Sequence, residues 1–199
     1  MEQLWPEAPA VRGRKNLSHV VNNIRQVLGL AGEPDESEDI FLRSHSSIQI
    51  QPQSLGEHDY FQALSLAKLR HSSPLNELSL EKALQLYTGE YLPGCYEDWA
   101  VDAREHLALE ILQTAVQLAQ HYLQDNKLPS AIRAAQKAIS VDPCSQEAYT
   151  TLIQAHIQEG RYPEAVRAYE QIKKSLTKEM DMEPNTELMR LYHVARLEI

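Results

Sequence analysis

Residues 115–138 read AVQLAQHYLQDNKLPSAIRAAQKA, and the pattern returns 34 positions later in residues 149–172, which read YTTLIQAHIQEGRYPEAVRAYEQI. The small residues Ala131 and Ala165 are equivalent, and so are the larger Leu118 and Leu152. A repeat of this length indicates pairs of antiparallel helices, in which small side chains allow close approach and large ones fill the space between. The repeat therefore predicts stacked helical hairpins with both alanines buried at tight contacts.

This period is that of the tetratricopeptide repeat, whose stacked hairpins form a curved surface and mostly serve recognition. We predict that helix 110–124 pairs with 129–140, and that helix 146–158 pairs with 163–178. A last helix near 186–198 closes the stack through four apolar positions: Leu188, Leu191, Tyr192 and Ala195. The expected fold is mostly α, with recognition rather than catalysis as its role.

Composition restricts the function further. The chain has 199 residues, enough for one large or two small domains. It has no apolar run long enough to span a membrane and no secretory leader, so a cytoplasmic protein without membrane contact is expected. The two cysteines, Cys95 and Cys144, form no paired framework and are interpreted as structural thiols of a reducing compartment.

The net charge of −9 is unevenly distributed. Residues 1–32 carry a balance of +2, which leaves −11 for the rest. A helix beginning near Arg14 presents apolar residues at helical spacing, among them Leu17, Val20 and Val21, whereas Pro6, Pro9 and Gly13 keep residues 6–13 out of it. Hydrogen-bond donors without any acid occupy the opposite face: Lys15, His19, Asn22, Asn23 and Gln26. Such side chains read base edges and phosphates, although an ordinary solvated helix face has the same composition.

The segments between this helix and the repeats are read from local patterns. Residues 40–42 and 48–50 are β-favouring and predict a short hairpin. An amphipathic helix over 57–70 turns Phe61 and Leu64 inward. Ser79 is a plausible N-cap for a helix over 80–87. A long helix begins at Asp98 and runs to about Gln124. The negative charge of Asp98 is favourable at the N-terminus of this helix, which is the positive end of the helix dipole.

Residues 80–100, LEKALQLYTGEYLPGCYEDWA, resemble the signature of the bacterial transcriptional activator domain. The family pattern is leucine-tyrosine, glycine, Leu-Pro-Gly and an acid before tryptophan. The matching residues here are Tyr87, Gly89, Leu92, Pro93, Gly94, Asp98, Trp99 and Arg104. Asp142-Pro143 and the segment 183–188 match as well. The resemblance implies an activator domain over 54–199.

Upstream, Leu4-Trp5-Pro6, Asn16-Leu17 and Ile24-Arg25 resemble the end of an OmpR-type winged-helix domain. This arrangement is similar to that of SARP-type antibiotic-pathway regulators. Residues 1–53 would then hold the recognition helix, 14–28, and the wing, 40–50. The DNA-contacting residues implied are Arg12, Arg14, Lys15, His19, Asn22, Asn23 and Gln26. Only 13 residues precede Arg14, so we expect a winged helix that lacks its front, as in a fragment or a truncated product.

The sequence contains no motif that indicates catalysis or metal binding. No phosphate-binding glycine loop and no metal-ligand spacing are present, and neither a cofactor nor a metal is expected. Glu105, Glu110 and Asp98 are explained as solvated or helix-start charges. Tyr96 and Trp99 could line a ligand pocket, but we predict that they anchor the core, with Trp99 against residues 87–93.

Two functional hypotheses follow. In the first, the helical stack of a transcription regulator contacts RNA polymerase or a second copy, while the basic helix meets DNA. In the second, the chain is a tetratricopeptide-type adaptor that binds protein segments and no DNA. The signature favours the first. A regulatory domain that binds a small ligand is a more remote reading.

Overall fold

The computed structural model describes residues 9–27, 41–43, 48–50, 59–72 and 74–199, and divides the chain into two compact units, Met1–Gly56 and Glu57–Ile199. In the described residues of the first unit there are one helix and two strands: α1 (Ala10–Val27), β1 (Phe41–Arg43) and β2 (Ile48–Ile50). The strands pair antiparallel, with Phe41 opposite Ile50 and Arg43 opposite Ile48.

Helix α1 begins earlier than its sequence predicts. The carbonyl of Pro9 accepts hydrogen bonds from the N–H groups of Arg12 and Gly13, so the first turn closes directly after the proline. Proline just outside a helix start costs no internal hydrogen bond, which is why Pro9 does not delay the helix. Gly13 therefore lies inside α1 and is buried. Val20, predicted on the apolar face, is exposed, whereas Val21 is buried.

The second unit consists of seven α-helices in the described residues, with one 3₁₀ turn, Lys68–His71, after the first of them. The helices are α2 (Asp59–Ala67), α3 (Glu77–Leu86), α4 (Asp98–Gln124), α5 (Leu128–Val141), α6 (Gln146–Gln158), α7 (Tyr162–Met180) and α8 (Thr186–Leu197). Helices α2 and α3 pack on α4, and from α4 onward each helix packs on the next. This sequential packing is the predicted stack of helical hairpins.

The equivalent positions of the repeat form the core. Ala131 and Ala165 are fully buried, which confirms their predicted place at tight helix–helix contacts. Leu118 and Leu152 are buried beside them. At the C-terminal end, α8 packs on α6 and α7 and buries Leu188, Leu191 and Ala195 as predicted. Tyr192 completes this contact by stacking on Tyr169, with ring centroids 4.3 Å apart.

Two local predictions in the second unit are wrong. Phe61 is 51% exposed, because α2 buries the face that contains Ala63 and Ala67 instead. Ser79 is not an N-cap. Helix α3 begins at Glu77 and is capped by Asn76, whose side-chain oxygen accepts a hydrogen bond 3.1 Å long from the Ser79 N–H. Asparagine caps a helix as effectively as serine. With Asn76 as the cap, α3 begins about one turn before the predicted start at residue 80.

Candidate interaction site around the signature segment

The signature segment connects α3 to α4 through the loop 87–97. Leu92, Pro93, Gly94 and Cys95 form a turn in which the Cys95 N–H donates to the Leu92 carbonyl over 3.1 Å. Proline at the second position and a glycine with φ of +84° at the third are what a type II turn requires. The Leu-Pro-Gly motif therefore has a backbone role: it reverses the chain ahead of α4.

Arg104 fixes this turn from the second turn of α4. Its Nε donates to the Tyr91 carbonyl over 2.9 Å, and its Nη2 donates to the carbonyls of Leu92 and Cys95 over 2.8 and 2.9 Å. A guanidinium presents several donors in a rigid fork, so one side chain can bond to three loop carbonyls at once, including that of Leu92, which also accepts from the Cys95 N–H. The sequence alone places Arg104 in the signature and indicates no role for it.

A lysine from the repeats holds the start of the loop. Lys137 of α5 donates a hydrogen bond from Nζ to the Tyr87 carbonyl, and the ammonium lies 5.3 Å from the centre of the Tyr87 ring. Burial lowers the pKa of Lys137, since the charged form is partly removed from water. The loop is thus attached by cationic side chains at both ends, to α5 and to α4.

A cleft of about 260 Å³ lies under the loop. Tyr60 of α2 and Tyr91 of the loop form one wall, with ring centroids 4.3 Å apart, and Leu86 and Leu107 contribute to the lining. Burial raises the pKa of Tyr60, and the neighbouring Tyr91 adds to this effect. The cleft is small and its inner lining is aromatic and aliphatic, with the acids Asp59 and Glu90 also among the lining residues, so it offers mainly packing contacts.

Tyr96 and Trp99 are exposed, which contradicts their prediction as core anchors. Tyr96 is 85% exposed and Trp99 is 60% exposed. The inward face of α4 begins with Ala100 and continues through Leu107 and Ile111, which are buried. One residue corresponds to about 100° around a helix, so Trp99 points away from that face. Arg104, rather than Trp99, holds α4 to the loop.

Acidic residues surround the two exposed rings. Glu97, Asp98, Asp102 and Glu105 are all exposed, and none of them forms an ion pair with any residue that the structure describes. Arg104 is the one Lys or Arg between Lys82 and Lys127 in the sequence, and its donors are bonded to carbonyls. This part of the surface is therefore both aromatic and negatively charged.

Glu110 differs from the exposed acids of α4 because it is paired with a cation. Its carboxylate forms an ion pair with the buried guanidinium of Arg70, which also donates to Gln113 Oε1 over 2.8 Å. The hydrogen bond from Arg70 lowers the pKa of Glu110 against the opposing effect of burial. A carboxylate held in its ionised form by a paired cation is a structural element between the 3₁₀ turn and α4, not a general acid.

One cluster contains donor types that metals prefer. Ligand atoms of Glu77, His121 and Asp125 lie within 4.8 Å of one another. The ammonium of Lys127 lies among them, 2.8 Å from Glu77 Oε1 and 3.2 Å from Asp125 Oδ2. Hydrogen bonds from Lys127 and His121 lower the pKa of Glu77. Since a lysine already supplies the positive charge, this cluster is explained as an ion-pair network between α3 and α4.

A polar groove follows α4, α6 and the start of α8. Two adjoining hollows of about 440 and 620 Å³ share Gln120 and Glu147 in their walls. Carboxamide and hydroxyl groups contribute most of the remaining polar lining: Gln113, Gln117, Gln124, Thr150, Thr151, Gln154 and Asn185. Such groups can bond to the backbone of an extended peptide.

Most of the α1 residues that the sequence predicts to contact DNA are exposed in the structure. Arg12, Lys15, His19, Asn22, Asn23 and Gln26 are exposed. The side chain of Arg14 and the residues around the predicted wing strands lie outside the described part. Among the described side chains of α1, Arg12 and Lys15 are basic and exposed, and the helix contains no acid, so this part of its surface is positive.

Comparisons with known proteins identify the family. The sequence profile of the bacterial transcriptional activator domain matches residues 42–196. No curated protein matches the chain. Among solved structures, the chain is similar to the C-terminal TPR-containing domain of a Plasmodium falciparum FK506-binding protein. The two are 16% identical with a TM-score of 0.49, over 72% of this chain and 94% of that one. Because the profile covers most of its length, the protein belongs to the bacterial transcriptional activator domain family.

Proposed function

We propose that the chain is a module of a bacterial transcription regulator of the SARP type. Its helical stack, residues 54–199, contacts RNA polymerase or a second copy of the chain. Residues 1–53 contribute part of a winged-helix element that meets DNA, with α1 as recognition helix. The module needs no cofactor and carries out no reaction. Family membership over 42–196 is the observation that carries this proposal.

The geometry supports the protein-contact half of the proposal. A loop tied by Arg104 and Lys137 precedes and adjoins exposed aromatic rings, while the Glu110 carboxylate is committed to an ion pair with Arg70. Exposed tyrosine and tryptophan are typical of protein interfaces. Within the described residues, no helix is long and apolar enough to cross a membrane.

Tethering tests whether the stack activates transcription. The full chain is fused to a DNA-binding domain of known operator, and transcription from a reporter promoter is measured in a bacterial host. We expect several-fold activation over the DNA-binding domain alone. Equal transcription from an abundant, folded fusion would contradict the activator role.

The proposal that α1 contacts DNA is tested with α1 variants of the full chain. Binding to a pool of randomised duplexes is followed by fluorescence anisotropy between about 50 and 200 mM salt. Lys15→Ala should weaken binding and reduce the salt dependence, because it removes a phosphate contact, whereas Asn22→Ala should act on sequence preference. Lys174→Ala, an exposed lysine of α7, is the matched control. DNA binding that is unchanged by both α1 variants would reject the recognition-helix assignment.

The polar groove favours a second candidate, an adaptor that binds protein segments and no DNA. Its carboxamides can hold a peptide backbone without reading its sequence. The two candidates separate in the experiments above: an adaptor neither activates the tethered reporter nor binds duplex DNA.

A further inference from the structure

We propose that the first half of α4 and the loop before it form a docking face for an arginine-containing basic segment of a partner protein. The aromatic–acidic face consists of Tyr96, Asp98, Trp99, Asp102 and Glu105. This inference rests on the protein-contact half of the proposed function and names the chemistry of the partner.

The backbone that carries the two rings of the face is fixed before any partner arrives. Tyr96 directly follows Cys95, whose carbonyl accepts a hydrogen bond from Arg104, and Trp99 lies in the first turn of α4. Large rings on an ordered backbone lose little conformational freedom on binding, which is why tryptophan and tyrosine dominate binding energy at interfaces. Both rings are exposed on this ordered backbone, so they are available for contact with a partner.

The acids of the face give it a charge that the described residues leave unbalanced. Asp98, Asp102 and Glu105 follow one another at spacings of four and three, so they form one stripe along α4. Trp99 is three residues before Asp102 and lies beside that stripe. A planar guanidinium can stack on an aromatic ring and at the same time bond to a carboxylate, which a lysine ammonium does less well.

The same charges argue against other occupants. Phosphate groups of DNA or RNA would be repelled by the stripe. A two-fold dimer through this face would place identical acidic stripes against each other, since an isologous interface pairs a surface with itself. A basic segment of a partner protein has the opposite charge and complements the face.

The test uses the full chain with Trp5→Phe, so that Trp99 is the remaining tryptophan. The probes are fluorescein-labelled synthetic peptides of equal length in which alanine alternates with arginine, lysine or glutamate. We expect the arginine peptide to bind with an affinity that falls with added salt, the lysine peptide to bind more weakly, and the glutamate peptide not to bind. Binding of the arginine peptide should also change the emission of Trp99.

Substitutions locate the binding. Trp99→Ala should lower the affinity for the arginine peptide by about tenfold or more, as expected for an aromatic contact at the centre of an interface. Asp102→Asn should reduce the salt dependence. The matched controls are Leu78→Ala, an exposed apolar residue of α3, and Glu170→Gln, an exposed acid of α7. Urea unfolding of each variant establishes that it is folded.

Three results would overturn the proposal. In the first, Trp99→Ala and the Leu78→Ala control bind the arginine peptide equally well. In the second, the arginine and lysine peptides bind equally and Asp102→Asn has no effect. In the third, the chain self-associates in sedimentation, Trp99→Ala abolishes the association, and no peptide binds, which would assign the face to a second copy. If the tethered chain activates the reporter while any of these holds, the proposed function stands and this inference alone fails.

Discussion

At the scale of single residues, Arg104 explains why the signature segment has its shape. Its guanidinium bonds to the carbonyls of Tyr91, Leu92 and Cys95, and these bonds connect the turn to α4. The sequence identifies Pro93 and Gly94 as turn residues, because their backbone preferences are local. It does not reveal the acceptors of Arg104, which depend on the path of the folded chain.

Removing this guanidinium should loosen the loop. We expect Arg104→Ala to lower the free energy of unfolding by about 2 kcal/mol, since carbonyls lose charge-assisted hydrogen bonds. Arg104→Lys should recover part of the loss, because an ammonium can serve fewer of the acceptors. Urea unfolding measures both variants, and Arg133→Ala, an exposed arginine of α5, is the control. An Arg104→Ala variant as stable as the control would show that the clamp contributes nothing.

Trp99 gives a second test at this scale. Because its ring is exposed, Trp99→Ala should change the free energy of unfolding by no more than about 0.5 kcal/mol. In a Trp5→Phe background, its emission should be that of an indole in water and should be quenched by iodide. Blue-shifted emission that resists quenching would mean that Trp99 is buried.

His156 predicts a pH dependence. The imidazole is buried, and its Nδ1 has no hydrogen-bond partner among the residues that the structure describes. Burial, with the charge of Arg161, lowers the pKa of His156 below its ordinary 6.5. The unfolded chain therefore binds the proton more readily than the folded one. The resulting stability is complete above pH 6.5 and is lost as the pH falls below it.

The measurement compares urea unfolding at pH 7.5 and pH 5.5 for the parent, His156→Leu and His193→Leu, the last being an exposed histidine of α8. The loss of stability on acidification should be smaller in His156→Leu than in the other two. If all three lose the same amount, His156 does not carry the effect.

At the scale of elements, helix boundaries were predictable where a cap is encoded locally. Helix α6 occupies 146–158 as predicted, because the Ser145 side chain accepts a hydrogen bond from the Ala148 N–H at its start. Helix α8 is capped in the same way by Asn185. Helix α3 differed because two polar residues, Asn76 and Ser79, are both suitable caps by residue type, and the observed cap is Asn76.

The repeat predicts what a larger side chain would do. Ala165→Leu places an isobutyl group into the packed contact of α7, and we expect a loss of about 1–3 kcal/mol. Glu170→Leu puts the same side chain on the exposed face of α7 and should leave stability nearly unchanged. Thermal unfolding of both variants checks this. Equal melting temperatures would remove the repeat interpretation at Ala165.

At the scale of the whole molecule, the stack was predictable and the exposure of Tyr96 and Trp99 was not. Periodicity reports which residues face a core, so the repeats and the closing helix α8 follow from spacing alone. Exposure of Tyr96 and Trp99 contradicts residue-type preferences, because aromatic residues are buried more often than not. Only the arrangement of α4 against its neighbours decides which side of that helix is free.

The central claim is that the stack makes a protein contact in transcription, and binding to purified bacterial RNA polymerase tests it most directly. The labelled full chain is titrated with polymerase and followed by anisotropy, and sedimentation of the chain alone measures self-association. We predict saturable binding to polymerase, or a self-associated species, at concentrations below about 100 µM. A chain that stays monomeric and does not bind polymerase over this range would contradict the account.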